Sequence, residues 1–270
     1  IGSSAFPHIA GGDPVWGNAD DPIRFAMSKL AHIHFTLTQK YSENLLKIGE
    51  EKFRICNSGN PSFDNIRSTK KINLTTLNKN LKINLKEKFV VLIKHPLSSE
   101  EQFAKNQMKT TLKALKTFSL KKKFNIVVIY PNTDPGSLKM IDEINKYKKD
   151  KNFFIFKNLD HLEFVNLIRM SSALVGNSSM GFLEAPYYKI PVVNVGRRQT
   201  GRLNVGNVNF VNYELKNIIS ALEKACFDKK YIQKLKKIPN IFGNGFSAKK
   251  IVSFLEKVDY KNKKWLIKKN

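Results

Sequence analysis

Phe89-Val90-Val91-Leu92-Ile93 is a run of five apolar residues without a polar interruption, and it constrains the fold more than any other stretch of the chain. A strand with one wet face alternates apolar and polar residues. An unbroken run belongs to a strand covered on both faces, as in a parallel sheet flanked by helices. Further β-prone runs follow at Asn125 to Tyr130, Phe153 to Phe156 and Ala173 to Val175. Helix-length segments separate them, at Glu101 to Phe118, Leu138 to Tyr147 and Leu162 to Met170. This alternation predicts a parallel α/β architecture. Helices at Leu215 to Cys226, Lys230 to Lys236 and Ala248 to Val258 complete one doubly wound unit over 89–258.

A shorter series precedes it. Pro7 to Ile9 reads as a strand end, and Asp21 to Ala31 as a helix with Ile23, Met27 and Leu30 on one face. Ile33 to Leu37 is a strand, Gln39 to Ile48 a helix ended by Gly49, and Arg54 to Asn57 a short strand. These elements are too few for a second complete unit. Residues 1–67 are therefore expected to be the remnant of a first domain, and the chain a fragment or one half of a split protein. The polar, Lys- and Asn-rich stretch 68–88 is the expected linker, and 259–270 a basic tail that frays.

Composition narrows the function classes. No segment has the run of about 18 apolar residues that a membrane span needs. The start, IGSSAFPHIAGG, has neither the basic nor the long apolar region of a signal peptide. Cys56 and Cys226 show no metal-ligand spacing and fit a reducing cytoplasm. The formal net charge of +25 invites a nucleic-acid reading. Most of the excess is Lys, however, spread along the chain without a recognised module, so a solvated lysine-rich surface is expected instead. Such a charge also favours capture of an anionic small molecule.

The chemistry concentrates between Leu174 and Val208. A strand leads into Gly176-Asn177-Ser178-Ser179-Met180-Gly181, and Phe182 to Tyr188 reads as a helix. Backbone N–H groups of such a turn, with the helix dipole, favour bound phosphate. Ser178 and Ser179 add hydroxyl donors, Glu184 can accept from sugar hydroxyls, and Arg198 and Arg202 can neutralise a diphosphate. On the turn alone, an Asn-Ser-Ser helix cap is the competing reading. Ligands of open α/β sheets bind beyond the C-terminal strand ends. His95, after the FVVLIK strand, is so placed, and can act as a general acid or stabilise charge. A locally hydrogen-bonded loop histidine is the alternative. Asn132 stands equivalently after the next strand, within a turn signal. Asp20 and Asp21 precede a helix and serve either as cap and first-turn acid or in catalysis.

The ordered set of motifs resembles the UDP-N-acetylglucosamine 2-epimerase family, most closely its hydrolysing branch, over roughly Pro7 to Leu255. It comprises Gly176-Asn177-Ser178-Ser179, Gly181, Glu184, Pro191, Asn194, Gly196, Arg198-Gln199, Gly201-Arg202 and Asn207-Val208. It also includes His8-Ile9, Gly11-Gly12-Asp13, Asp20-Asp21 with Arg24, Gly59 with Pro61-Ser62 and Asp64, His95-Pro96, Pro131-Asn132 with Asp134, and Phe242-Gly243. The resemblance implies a GT-B-like fold of two Rossmann-like domains facing a cleft, here one complete domain preceded by the C-terminal part of another. It implies a UDP-sugar substrate and loss of UDP across C1–C2. Water then adds with inversion at C2, and neither metal nor redox cofactor takes part. Asp21 becomes an acid/base carboxylate, with Asp13 and Asp64 lining or shaping the site, and the backbone at Asn158 and Leu159 contacts uracil. A homo-oligomer or a complementary N-terminal chain is the expected macromolecular partner.

Two departures stand out. Ala10 fills a position where the family commonly has a carboxylate, His or Gln, and Asn244 one where it often has Asp. A non-catalytic UDP-binding fragment and a GT-B glycosyltransferase remain as alternative readings.

Overall fold

The computed structural model describes residues 5–16, 20–86 and 88–269. Ile1 to Ser4, part of the segment read against a signal peptide, lie outside the described residues. The chain divides into two compact units. The first holds residues 1–68, 200–202 and 239–270, and the second 69–199 and 203–238.

In the first unit, β1 (Pro7–Ile9), α1 (Asp20–Leu30), β2 (Ile33–Thr36), α2 (Gln39–Lys47), β3 (Ile55–Asn57) and α3 (Ser62–Ser68) follow in order. The three strands form a parallel sheet in the order β1-β2-β3. The second unit begins with α4 (Leu74–Leu81) and β4 (Phe89–Ile93), then α5 (Ala104–Lys122), β5 (Asn125–Ile129), α6 (Ser137–Asn145) and β6 (Phe153–Phe156). It continues with α7 (His161–Met170), β7 (Ala173–Gly176), α8 (Met180–Leu183), α9 (Ala185–Tyr188), β8 (Val192–Val195), β9 (Val208–Val211), α10 (Leu215–Phe227) and α11 (Lys229–Lys236). The closing helices α12 (Ser247–Leu255) and α13 (Lys263–Leu266) return to the first unit.

All six strands of the second unit are parallel, in the order β6-β5-β4-β7-β8-β9. Counting β4 as the first strand gives the doubly wound order 3-2-1-4-5-6, which reverses direction between β4 and β7. All five residues of β4 are buried. Its side chains alternate between two cores: Val90 and Leu92 pack with α5 and α10, whereas Phe89, Val91 and Ile93 pack with α4, α7 and Phe182. Burial on both faces is why the run is apolar throughout.

The structure differs from the sequence reading in four places. The stretch 68–88 carries α4, with Asn73 capping it and Leu77 and Leu85 in the core, because its few apolar residues recur at helical spacing. Residues 239–258 group with the first unit, since Asp64 accepts the Ser247 and Ala248 N–H groups at the start of α12. The expected helix from Phe182 to Tyr188 is two short turns interrupted at Glu184 (φ −122°), with Pro186 in the first turn of the second.

The fourth difference is the tail. Trp265 is buried against Phe53 and Phe254. The fully buried Arg54 donates to the carbonyls of His32, Lys264, Trp265 and Ile267. Lys268 Nζ donates to the carbonyls of Ser28, Lys29 and Ala31, and pairs with the buried Glu50. Glu50 also meets the buried His34 Nε2 at 2.8 Å.

Both tryptophans, Trp16 and Trp265, belong to the first unit, so intrinsic fluorescence reports its unfolding. Arg54→Leu leaves several buried carbonyls without a donor and is expected to destabilise that unit by about 3 kcal/mol in urea denaturation. Acid acts on the same unit. Burial holds His8, His32 and His34 below the usual 6.5, His34 at about 4. The native rings are neutral, so this stability is present above pH 6.5 and is lost as pH falls toward 4. The urea midpoint read by fluorescence should fall through that window, whereas a flat profile would contradict the assignment.

Candidate functional site

The winding of the sheet reverses between β4 and β7, and His95, Asn177, Arg198 and Gln199 meet at the C-terminal ends of these strands. Ile93 pairs with Gly176 in the register of the two strands. Gly176 has φ +126°, and a Cβ on it would lie 2.0 Å from the Ile93 carbonyl oxygen. Only glycine permits that approach. Beyond it, His95 N–H donates to Asn177 Oδ1 at 2.7 Å, and Asn177 Nδ2 donates back to the His95 carbonyl at 2.8 Å. Asn177 is buried, so this reciprocal pair locks the two strand ends together.

His95 is held from the other side as well. The Asn132 N–H donates to His95 Nδ1 at 3.0 Å. An accepting Nδ1 carries no proton, so the ring is neutral with its hydrogen on Nε2. Burial, Arg198 and Lys94 push its pKa down to about 4, against the opposing pull of Asp134. His95 is thus a neutral donor through Nε2, and an imidazolium acid only well below neutral pH.

Arg198 reaches the same place from the loop after β8. Its Nη1 donates to the Asn177 carbonyl at 3.4 Å, and its Nη2 lies 3.7 Å from Asp134. The buried Gln199 donates to the same carbonyl at 3.0 Å. Ser178 and Ser179 follow Asn177, both half-buried, and the Met180 N–H donates to Ser178 Oγ at 3.4 Å. Glu184 stands at the break between α8 and α9. The four-residue α8 carries little dipole. Asn158 and Leu159 lie past the end of β6, two strands along the sheet from β4. Asn158 is exposed, and Leu159 packs on the core.

The first unit gathers a different set. Asp13 is buried, with Oδ2 2.6 Å from Arg202 Nη1 and 3.5 Å from Arg24 Nη1. Burial raises the Asp13 pKa above its usual value, although both guanidiniums and Tyr41 pull it back. Ser28 Oγ donates to the Arg24 carbonyl and lies 3.1 Å from His8 Nδ1. Asp21 Oδ1 accepts the Val15 N–H at 2.6 Å, which fixes the loop after Gly12.

Two expected roles change. Arg202 was expected to neutralise a diphosphate, but its guanidinium is buried against Asp13. Asp64 was expected with Asp13 to line or shape the site; both of its oxygens accept backbone N–H groups of α12, at 2.9 and 2.8 Å. Asn177, Gln199 and Lys94 were not singled out by the sequence reading. Asn177 and Gln199 stood within the matched motifs; Lys94 had no motif to mark it. Among the described residues no group of three or more His, Cys, Asp or Glu could hold a metal ion. Among the described residues no helix is long and apolar enough to cross a membrane.

Comparison with known proteins adds the lineage. The profile of the UDP-N-acetylglucosamine 2-epimerase family matches residues 5–256. The chain is 33% identical over 220 residues to a GDP/UDP-N,N'-diacetylbacillosamine 2-epimerase (hydrolyzing) from Campylobacter jejuni, covering 80% of this chain and 56% of that protein. It is 33% identical over 219 residues to a UDP-N-acetylglucosamine 2-epimerase from Neisseria meningitidis, covering 81% of this chain and 56% of that protein. The chain therefore spans little more than half the length of these relatives. Among solved structures, the Neisseria meningitidis UDP-GlcNAc 2-epimerase bound to UDP-GlcNAc superposes with a TM-score of 0.77 at 21% identity, covering 94% of this chain and 70% of the other. A Methanocaldococcus jannaschii UDP-GlcNAc 2-epimerase in complex with UDP-GlcNAc and UDP superposes at 0.75 and 19% identity, covering 93% and 69%. These likenesses show a GT-B-like α/β fold with parallel sheets. With the profile match across nearly the whole chain, they complete the argument from the residues: this chain belongs to the UDP-N-acetylglucosamine 2-epimerase family.

Proposed function

We propose that this chain binds a UDP-sugar and supplies the nucleotide-binding part of a hydrolysing 2-epimerase. UDP-N-acetylglucosamine or a related UDP-sugar would be converted to UDP and the 2-epimeric amino sugar. The observation that carries this reading is the His95–Asn177 lock at the strand reversal, with the Nε2–H of His95, Arg198 and the Ser178-Ser179 turn around it. A UDP leaving group develops negative charge on its terminal phosphate. A positioned guanidinium and a neutral N–H donor stabilise that charge without needing to exchange a proton. Asn132 Oδ1 and Gln199 Oε1 are buried without a hydrogen-bond partner among the described residues, and so offer acceptors for ligand N–H or O–H groups. Glu184 is assigned to sugar hydroxyls, and Asn158 and Leu159 to the base.

The overall reaction balances as follows. A base removes the C2 proton, the C1–O bond to UDP breaks, and the electron pair forms a C1–C2 double bond. Water then gives its hydroxyl to C1, and a proton arrives at C2 from the opposite face. The carboxyls assigned to this proton traffic are Asp13 and Asp21. Burial pushes the Asp13 carboxyl above its ordinary value, the direction that favours taking up a proton, against the pull of Arg202, Tyr41 and Arg24. Arg202 and Arg24 position it.

A second reading, binding without turnover, is favoured by Ala10 at the end of β1, since its methyl group neither takes nor gives a proton. The two readings separate in two assays. Calorimetry should detect UDP binding, and Arg198→Ala should weaken it by about tenfold or more, as loss of a charge-assisted contact of about 1.5–3 kcal/mol implies. No heat from UDP with folded protein would remove both readings. In the second assay, the chain alone is incubated with UDP-N-acetylglucosamine, and little or no UDP release is expected. Turnover of about 1 per second or faster, typical of enzymes, would show that Asp13 or Asp21 suffices without a proton acceptor at position 10.

A further inference from the structure

Lys94 separates the buried strand β4 from His95, and its side chain is as buried as the strand before it. Its Nζ has no hydrogen-bond partner among the described residues. What it meets instead is the ring of Tyr213, 5.0 Å from Nζ to the ring centroid. A buried lysine normally pairs or is excluded from a core, because an unpaired ammonium loses its hydration without replacement.

The groups around it explain why it is tolerated. Among the described residues the carboxylate acting on it is Glu100, from the 3-10 helix Ser98–Phe103. That carboxylate is already shared by Arg197 at 2.5 Å and Gln107 at 2.7 Å. Arg198 opposes the lysine's charge, and Lys94 in turn acts on His95. Tyr213 faces it with a phenol whose own ionisation burial pushes up, so it adds no charge at neutral pH. Lys94, Arg197 and Arg198 thus stand against Glu100 and Asp134, and Lys94 Nζ has no hydrogen-bond partner among the described residues.

We propose that Lys94 sets the affinity of the diphosphate site by gaining charge when an anion arrives: ligand and proton bind together, the anion at Arg198 and His95, the proton at Lys94. The proposal rests on the reading that this site takes UDP. Lys94 touches no reacting atom in this assignment and is a positioning residue acting through the field. Of the two groups assigned the phosphate, Arg198 carries a charge that opposes the Lys94 ammonium, and Lys94 in turn helps to hold His95 neutral. Burial is the main reason the ammonium is disfavoured, and an anion against Arg198 offsets the repulsion that adds to it. The proton comes from solvent, and the Glu100 and Tyr213 beside Lys94 line a cavity of about 370 Å³ with Phe103 and Gln107, though Lys94 itself does not. Burial places Lys94 at about 7 without ligand, against the usual 10.5, with Glu100 raising it and Arg198 lowering it.

The sign follows. Below pH 7 the lysine is charged in both states, and affinity for UDP is highest. Above pH 7 binding must bring a proton, so affinity falls by up to about tenfold per pH unit until the liganded lysine also loses its proton. Isothermal titration calorimetry at pH 8, with UDP in two buffers of different ionisation enthalpy, should show uptake of roughly half a proton or more per UDP bound. Lys94→Met should abolish that uptake and flatten the affinity profile between pH 7 and 9. Methionine fits a buried, unpaired site, so this variant is expected to fold. UDP binding by the wild-type chain without proton uptake overturns the proposal while sparing the UDP reading. Uptake that persists in a folded Lys94→Met variant overturns it too. Absence of UDP binding by the wild-type chain overturns both together.

Discussion

The backbone contact between Gly176 and Ile93 is the constraint on which the candidate phosphate site depends. Two parallel strands that reverse the winding of a sheet must approach closely, and here they do so where a Cβ would lie 2.0 Å from a carbonyl oxygen. That approach lets a single side chain, Asn177, bridge to the backbone of His95 in both directions. With the backbone of His95 fixed, the Asn132 N–H finds Nδ1, and the tautomer is decided. Arg198 and Gln199, both from the loop after β8, then converge on the carbonyl of Asn177, while the His95 N–H donates to its side chain. Packing geometry comes first here, and the protonation state of the histidine is its consequence.

The first unit solves a different problem, the burial of charge. Asp13 and Arg202 are far apart in sequence, yet they meet at 2.6 Å with both side chains almost wholly buried. Neither is tolerable without the other, because breaking a buried pair leaves an uncompensated ion. The same logic governs the C-terminal segment. Arg54 and Lys268 spend their donors on backbone carbonyls at helix and loop ends, and Glu50 answers Lys268, Lys29 and His34. These contacts make a lysine-rich ending part of a folded unit. Composition alone reads it as solvated.

What was legible in the sequence was whatever leaves a local pattern. Five apolar residues from Phe89 to Ile93 declare a strand covered on both sides, and the structure buries all five. The Asn-Ser-Ser turn and the His-Pro pair after β4 were legible because a parallel sheet puts strand ends together. What failed to show was non-local. Asp64 caps a helix that begins 183 residues later, and no spacing rule reaches that far. Lys94 read as one more surface lysine in a chain rich in them, although its place at the end of a doubly buried strand was a usable sign. Pro186 was a clearer one: a proline inside a helical pattern removes a backbone donor, and the helix breaks just before it, at Glu184.

The position of Ala10 bears on the chemistry in a way that its small side chain does not suggest. Its φ is +68°, a region that costs an L residue about 1–2 kcal/mol, and its N–H donates to the Phe35 carbonyl at 2.8 Å. The strain turns the chain from β1 into Gly11-Gly12, and Gly12 packs so tightly that a Cβ would lie 2.3 Å from the Tyr41 carbonyl oxygen. The turn in turn delivers Asp13 to Arg202 and Arg24. A backbone this constrained is kept whether or not residue 10 carries a functional group, because the placement of Asp13 depends on it. The turn at this position is therefore set by the backbone, whatever chemistry a side chain there could do. The two properties separate because the first resides in the backbone and the second in a side chain that alanine lacks.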